Sequence, residues 1–218
     1  SIDKIAPTAS RVLVNGPSGS GKELAARCIH SKSDRKDERF VVANCARLAS
    51  ERVDAELFGS ESLQSHRRVV GLFEQAHKGT LYFDEICDLP LETQGKIVRA
   101  VNEQRFRRVG GNTEVVVDGR VISASSRDLT AEISDGRLRE DLYYRLGVVP
   151  LDMPPLLQRR EDIPLLAKHF TALVAKRLGV LPFKLSDEVL AAMQGYGWPG
   201  NVRQILNVIE TMLILAPA

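Results

Sequence analysis

The sequence predicts an α/β fold, with a mostly parallel sheet covered by helices on both faces, followed by a small helical subdomain. Two observations predict it: strand-like and helix-like segments alternate over the first two thirds of the chain, and only helical patterns follow Met153-Pro154-Pro155. We therefore expect an α/β core over residues 1–153 and a helical subdomain over residues 154–218.

Short apolar runs bounded by turn residues indicate the strands. They cover residues 11–15, 40–43, 80–83, 114–117, 120–124 and 147–151. Apolar residues at helical spacing indicate the helices. They cover residues 22–30, 51–58, 91–103, 162–178, 186–194 and 201–215.

Composition excludes several classes of protein. The 218 residues are 44% apolar and 27% charged, as in globular proteins, and the net charge of +2 argues against a surface built mainly to bind nucleic-acid phosphates. No apolar run approaches the roughly 20 residues that cross a bilayer. The cysteines, Cys28, Cys45 and Cys87, form no C-x-x-C pair, so we expect reduced thiols in the cytoplasm rather than disulfides or a zinc site.

A glycine-rich turn lies between the first predicted strand and helix and fits the pattern G-x-x-x-x-G-K. Glycines let the backbone wrap a polyphosphate closely, and consecutive N–H groups with a helix N-terminus attract its charge. The lysine would reach the β and γ phosphates, whereas a glutamate stands where a serine or threonine often binds magnesium. The turn reads Gly16, Pro17, Ser18, Gly19, Ser20, Gly21, Lys22 and Glu23.

Two adjacent carboxylates, Asp84 and Glu85, follow the predicted strand at 80–83. In a parallel sheet this end of the strand lies at the carboxyl edge, where α/β proteins bind ligands. Asp84 can hold a magnesium ion through its water shell, and Glu85 can orient and deprotonate an attacking water. Alone, such a pair is more often a solvated turn; beside the glycine-rich turn it indicates a site for a triphosphate.

Together the motifs resemble the central AAA+ ATPase domain of bacterial enhancer-binding proteins, the NtrC family of regulators that act on sigma-54 RNA polymerase. The resemblance covers nearly the whole chain, and Glu23 fits because this family carries glutamate after the lysine. The motifs are GPSGSGKE (16–23), ELFG (56–59), GLFEQAHKGTLYFDEI (71–86), RFRRVGG (105–111), LREDLYYRL (138–146), RREDIP (159–164) and WPGNVRQ (198–204).

The resemblance implies ATP or ADP and Mg²⁺ as cofactors and assigns further residues. Asn44 matches the asparagine that holds the catalytic glutamate, and Ser126 lies where relatives sense the γ-phosphate. Arg139 and Arg145 match arginines that reach a neighbouring subunit's nucleotide, so activity would require a ring, which is a hexamer in this family. For this chain, self-assembly into a hexameric ring or a dimer stays open. Arg203 matches the arginine of the C-terminal lid that contacts phosphates in its own subunit. Without the resemblance, an asparagine at a strand end such as Asn44 would be interpreted as a turn or cap residue. Arg139 and Arg145 would be interpreted as solvated side chains on a charged helix.

The chain departs from the family between residues 59 and 71. Enhancer-binding proteins carry there the loop G-A-F-T-G-A, which contacts sigma-54, and this chain has SESLQSHRRVV instead. We therefore do not expect the usual sigma-54 contact, although Arg67 and Arg68 leave a contact with DNA or RNA polymerase open. The NtrX-type response regulators, which resemble this chain, lack the loop too; they add a phosphoreceiver and a DNA-binding helix-turn-helix that these residues do not contain.

Two functions stay open from the sequence. One is an ATP-binding module of a transcription regulator with weak, ring-dependent hydrolysis. The alternative is a nucleotide-gated oligomerisation module with little or no turnover. A small-molecule kinase fits neither Glu23 nor the WPGN segment.

Overall fold

The structure, a computed structural model, describes residues 2–62 and 67–215. It contains two compact units: one comprises the residues up to Asn15 with Lys22–Asp152, and the other comprises Gly16–Gly21 with the residues from Met153 onward. The sequence places the glycine-rich turn in the α/β core, whereas here it packs with the helical unit. Part of the segment that replaces G-A-F-T-G-A, residues 63–66, lies outside the described residues.

The first unit contains the strands and helices α1 to α7. The strands are β1 Val12–Asn15, β2 Phe40–Asn44, β3 Ser60–Glu61, β4 Arg68–Val69, β5 Thr80–Asp84, β6 Arg105–Arg107, β7 Glu114–Val116, β8 Arg120–Ser125 and β9 Val149–Asp152. The helices of this unit are α1 Ile2–Ile5, α2 Lys22–Ser31, α3 Val53–Phe58, α4 Leu72–Gln75, α5 Leu91–Glu103, α6 Leu129–Ser134 and α7 Glu140–Leu146.

Five strands form one parallel sheet in the order β2-β5-β8-β1-β9. Every residue of β8 is buried, as is all of β5 except its last residue, which is the pattern of strands covered on both faces. The register sets Asn44 beside Asp84 and Asn15 beside Ser125. The predicted α/β fold is confirmed, and polar residues meet at the carboxyl edge of its sheet.

The predicted strand at residues 114–117 does not join the parallel sheet. Its structured part, β7, pairs antiparallel with β6, a strand that was not predicted. The physical reason is exposure: Glu114 and Val116 face solvent while Val115 is half-buried, whereas central parallel strands bury both faces. A second ribbon, β3 with β4, was not predicted either, because each of its strands has only two residues.

The second unit is a helical bundle of α8 Ile163–Leu178, α9 Asp187–Gly195 and α10 Asn201–Leu215. Its core contains Trp198, whose indole N–H donates to the Met193 carbonyl at 2.6 Å. Helix α9 begins at a serine cap, where the Ser186 hydroxyl accepts from Val189 N–H. Among the helices of the described residues, none is long and apolar enough to cross a bilayer.

Candidate functional site

The glycine-rich turn adopts a backbone that requires glycine. Gly19 has φ +75° and Gly21 has φ +102°, values that side-chain-bearing residues rarely adopt. At Gly19 there is also no room, because a Cβ atom would overlap the carbonyl oxygen of Gly200. The loop and the start of α10 therefore approach one another at backbone distance.

Side chains and backbone of the helical unit hold the loop by its carbonyl groups. The Asn201 amide donates to the Ser18 carbonyl at 3.0 Å, and the Val202 N–H donates to the Gly19 carbonyl at 3.0 Å. The Arg159 guanidinium donates to the Ser20 carbonyl at 2.6 Å. These contacts use backbone carbonyl groups of the loop as hydrogen-bond acceptors. Phosphate binding at such a loop uses its backbone N–H groups as donors instead.

Arg203, which the resemblance assigned to nucleotide phosphates, reaches the same loop and donates to the Ser18 hydroxyl at 3.3 Å. Neither Arg159 nor Asn201 was predicted as a site residue. Asn201 is buried, has φ +51°, and accepts from Leu156 N–H at 2.8 Å as well as donating to the loop. The motifs RREDIP and WPGN were the available signals for both residues.

In the first unit, Asp84 ends β5 and Glu85 follows it, so both residues lie at the carboxyl edge of the parallel sheet. The Tyr82 hydroxyl donates to an Asp84 oxygen at 3.0 Å. Burial raises the pKa of Asp84 above its ordinary value, and the neighbouring Glu85 charge adds to that rise, while Tyr82 and Lys22 oppose it. Asp84 is thus a half-buried carboxylate that a cation would stabilise in its charged form.

Glu85 has a left-handed backbone, with φ 56° and ψ 59°, which is uncommon for a residue with a side chain. One carboxylate oxygen accepts from both the N–H and the hydroxyl of Ser126, each at 2.9 Å. The other lies 3.3 Å from Nζ of Lys22, which is 6% exposed. Three predicted site residues therefore meet in one cluster, and both oxygens of Glu85 are engaged.

Asn44 lies at the same edge, next to Asp84 in the register, but it does not hold Glu85 in this structure. Within residues 2–62 and 67–215 its side chain makes no hydrogen bond to that carboxylate, which Ser126 contacts instead.

Glu23, the other acidic residue predicted here, pairs with Arg27 one helical turn along α2, at 2.8 Å.

The two predicted trans arginines differ in their surroundings. Arg139 makes a bidentate ion pair with Asp141, at 2.9 and 2.8 Å, and its hydrogen bonds lower the pKa of that carboxyl. Its backbone N–H donates to the buried Gln94 side chain, which also bonds to the carbonyls of Leu89 and Arg137. Arg145 lies near the end of α7 and, within the described residues, its side chain has no hydrogen bond or ion pair.

No ready-made metal cage accompanies these residues. In the described ranges, no three or more His, Cys, Asp or Glu side chains are grouped so as to hold an ion. A single carboxylate such as Asp84 nevertheless suits magnesium, which keeps several waters and completes its shell with substrate phosphates.

The parallel sheet, the glycine-rich turn before α2, the acidic end of β5 and the helical lid define a P-loop AAA+ domain. The chain belongs to the Sigma-54 interaction domain family, which matches residues 1–152, and the AAA+ ATPase lid domain matches residues 157–218. The predicted resemblance to the NtrC family of regulators is thereby confirmed.

Individual relatives agree with this assignment. The chain is 49% identical over 215 residues to the nitrogen assimilation regulatory protein NtrX of Azorhizobium caulinodans, covering 99% of this chain and 47% of that protein. Crystal structures of NtrX from Brucella abortus in complex with ADP and with ATP superpose with TM-scores of 0.91 at 47% and 46% identity. Each covers 98% of this chain and 48% or 49% of the other. The chain thus spans about half the length of these relatives.

Proposed function

We propose that this chain is the ATP-binding module of a bacterial transcription regulator, and that it hydrolyses ATP slowly when copies assemble. The observation that carries the proposal is the cluster of Lys22, Glu85 and Ser126 beside Asp84. A cation, a candidate base and a hydroxyl meet there at the carboxyl edge of a parallel sheet. The NtrX structures of Brucella abortus with ADP and ATP support the choice of nucleotide.

The proposed mechanism starts from the ion pair of Lys22 with Glu85. When a triphosphate lies in the glycine-rich loop, Lys22 exchanges the carboxylate for the β and γ phosphates, because these carry more negative charge. The Glu85 oxygen that Lys22 releases then accepts a proton from the attacking water, while Ser126 keeps hold of the other oxygen. Asp84 would hold Mg²⁺, which would neutralise charge on the phosphates. Arg203 contacts the phosphates from the lid.

Hydrolysis also requires a second copy. We propose that Arg139 and Arg145 approach the nucleotide of a neighbouring subunit, where an arginine contributes about 10³–10⁵-fold by neutralising charge on the transferred phosphoryl group. Arg139 must first leave Asp141. The lone subunit therefore lacks a complete site, and turnover rises with protein concentration.

The usual sigma-54 contact is not part of the proposal. The residues at the base of the replaced loop are engaged within the chain: Arg68 pairs with Glu74 at 2.8 Å, and Glu61 lies 3.6 Å from Arg108. Arg68 is therefore a charge-compensated residue rather than a free nucleic-acid contact. By analogy with NtrX we infer a cytoplasmic regulator that binds DNA through another domain.

The test is Glu85→Gln, which keeps the shape of the side chain and removes the base. We expect phosphate release to vanish while a fluorescent ATP analogue still binds within about twofold of the parent affinity. Sedimentation with and without ATP and magnesium accompanies the assay. Phosphate release that survives the substitution would reject Glu85 as the base.

A second candidate function has a specific observation in its favour. Both Glu85 oxygens and the Arg139 guanidinium are held by partners in the same chain, as expected for a module that binds nucleotide and assembles without turnover. ATP-dependent sedimentation of the parent chain with no phosphate release at any protein concentration would select it.

A further inference from the structure

Two arginines that are distant in sequence lie on segments that converge at the amino end of β1. Arg11 immediately precedes this strand, and its carbonyl accepts from Val149 N–H, the first residue of β9, at 3.1 Å. Arg145 lies on α7, four residues before Val149. Between them Gly147 packs on β1, where an added Cβ would lie 3.5 Å from Leu13 Cδ2.

The two guanidinium groups lack counter-charges. Within residues 2–62 and 67–215, neither makes a hydrogen bond or an ion pair, and the Nε atom of each is buried. Burial lowers the pKa of Arg11, and the charge of Arg145 lowers it further. Other arginines of the same unit are compensated, such as Arg108 by Glu74 and Arg137 by Glu132.

Uncompensated donors of this kind indicate a site for an anion. Buried polar groups are nearly always hydrogen-bonded, and a buried donor without a partner costs free energy that a ligand can recover. Two neighbouring guanidinium groups offer several N–H donors in planar forks, a geometry that suits the oxygens of a phosphate group.

The ligand has to come from outside the subunit's own glycine-rich loop. Arg11 precedes β1 and Asn15 ends it, so the strand separates Arg11 from the carboxyl edge of its own sheet by about 13 Å at roughly 3.3 Å per residue. Resting on the proposed function, we propose that Arg11 acts with Arg145 as a two-arginine anion site for the phosphate groups of a nucleotide held by a second copy of the chain.

The first experiment compares Arg11→Ala with a matched control, Arg105→Ala, which removes an exposed arginine paired with Glu114. Phosphate release is measured over a range of protein concentrations, and binding of a fluorescent ATP analogue is measured at the lowest. We expect Arg11→Ala to lose at least tenfold in phosphate release at high concentration while dilute subunits bind nucleotide within about twofold of the parent. Release equal to that of Arg105→Ala, or weakened binding by dilute subunits, would overturn the inference.

The second experiment mixes two impaired variants. Subunits with Arg11→Ala keep Glu85, and subunits with Glu85→Gln keep Arg11, so an interface that joins them contains both groups if Arg11 acts in trans. Mixing should therefore restore phosphate release above the sum of the separate variants. No recovery would show that Arg11 acts within its own subunit.

If the parent releases no phosphate at all, hydrolysis fails as a proposed function and assembly becomes the readout. In sedimentation with ATP, Arg11→Ala should then need about tenfold more protein to assemble than Arg105→Ala does. Equal assembly of the two variants, or a parent that never assembles, would overturn the anion site.

Discussion

Ser126 donates two hydrogen bonds to a single oxygen of the Glu85 carboxylate, one from its backbone N–H and one from its hydroxyl. The pair joins the end of β8 to the end of β5, strands that are neighbours in the sheet. Since the other oxygen faces Lys22, both oxygens of the carboxylate are held by residues of the same unit.

We predict that Ser126→Ala lowers kcat for phosphate release about tenfold and leaves KM nearly unchanged, because a hydrogen bond to a charged group contributes roughly 1.5 kcal/mol or more. Ser126→Thr keeps the hydroxyl and should retain most of the rate. Steady-state kinetics of phosphate release, measured on both variants and on Asn44→Ala, shows whether Ser126 or Asn44 positions the Glu85 carboxylate. Full activity in Ser126→Ala together with a large loss in Asn44→Ala would return that role to Asn44.

Gly19→Ala should abolish nucleotide binding without unfolding the chain. The added Cβ overlaps the Gly200 carbonyl, so the loop and the start of α10 cannot keep their present packing. Gly136→Ala is a matched control, because Gly136 also has a positive φ, +70°, but a Cβ added there would meet no atom within 4 Å. Calorimetric titration with ATP measures binding, and normal binding by Gly19→Ala would show that this packing is dispensable.

The pair of half-buried Glu74 with buried Arg108 should be a large contributor to the stability of the first unit. The two side chains are 11% and 5% exposed and form two hydrogen bonds, at 2.7 and 2.8 Å. Burial raises the pKa of Glu74, but the hydrogen bonds from Arg108 and Arg68 outweigh it and the net shift is downward. Glu74→Gln should therefore lower the free energy of unfolding by about 3 kcal/mol, because Arg108 stays buried without a full counter-charge.

Urea denaturation of Glu74→Gln and of Glu92→Gln provides the comparison. Glu92 pairs with Lys96 at the surface and is 82% exposed, so its substitution should change stability by less than about 1 kcal/mol. Equal midpoints for the two variants would contradict the importance assigned to the pair of Glu74 with Arg108.

His30 should make the folded chain sensitive to mild acid. Its ring is buried between the Thr80 hydroxyl and the Glu38 carbonyl, and burial lowers its pKa below 6.5. The His30 side chain then binds a proton more readily in the unfolded chain than in the folded one. Its contribution to the free energy of unfolding is therefore complete above about pH 6.5 and declines as the pH falls toward the folded-state pKa. Unfolding midpoints of the parent and His30→Gln, measured across this range, should converge in acid; His169→Gln, at an exposed histidine, should parallel the parent.

Much of the architecture could be predicted because long periodic segments and glycine motifs are local signals. Helices α5 and α10 begin and end where the apolar spacing indicates. The partner of Glu85 could not be predicted, because Ser126 lies 41 residues away and its contact depends on the register of β5 against β8. The hydrogen bond from Arg159 to the Ser20 carbonyl could not be predicted for the same reason, since the two residues lie 139 positions apart in the sequence.

Arg120 gives the first ten residues an importance that their short helix alone does not suggest. Its buried guanidinium donates to the carbonyls of Ile5, Ala6 and Ser10, and in the described residues no carboxylate pairs with it. The charge is thus neutralised by peptide dipoles of a segment more than a hundred positions upstream. Removing that segment would leave the Arg120 guanidinium in the interior without its acceptors. The minimal folding unit of this domain therefore has to include it, even though the proposed catalytic cluster lies elsewhere.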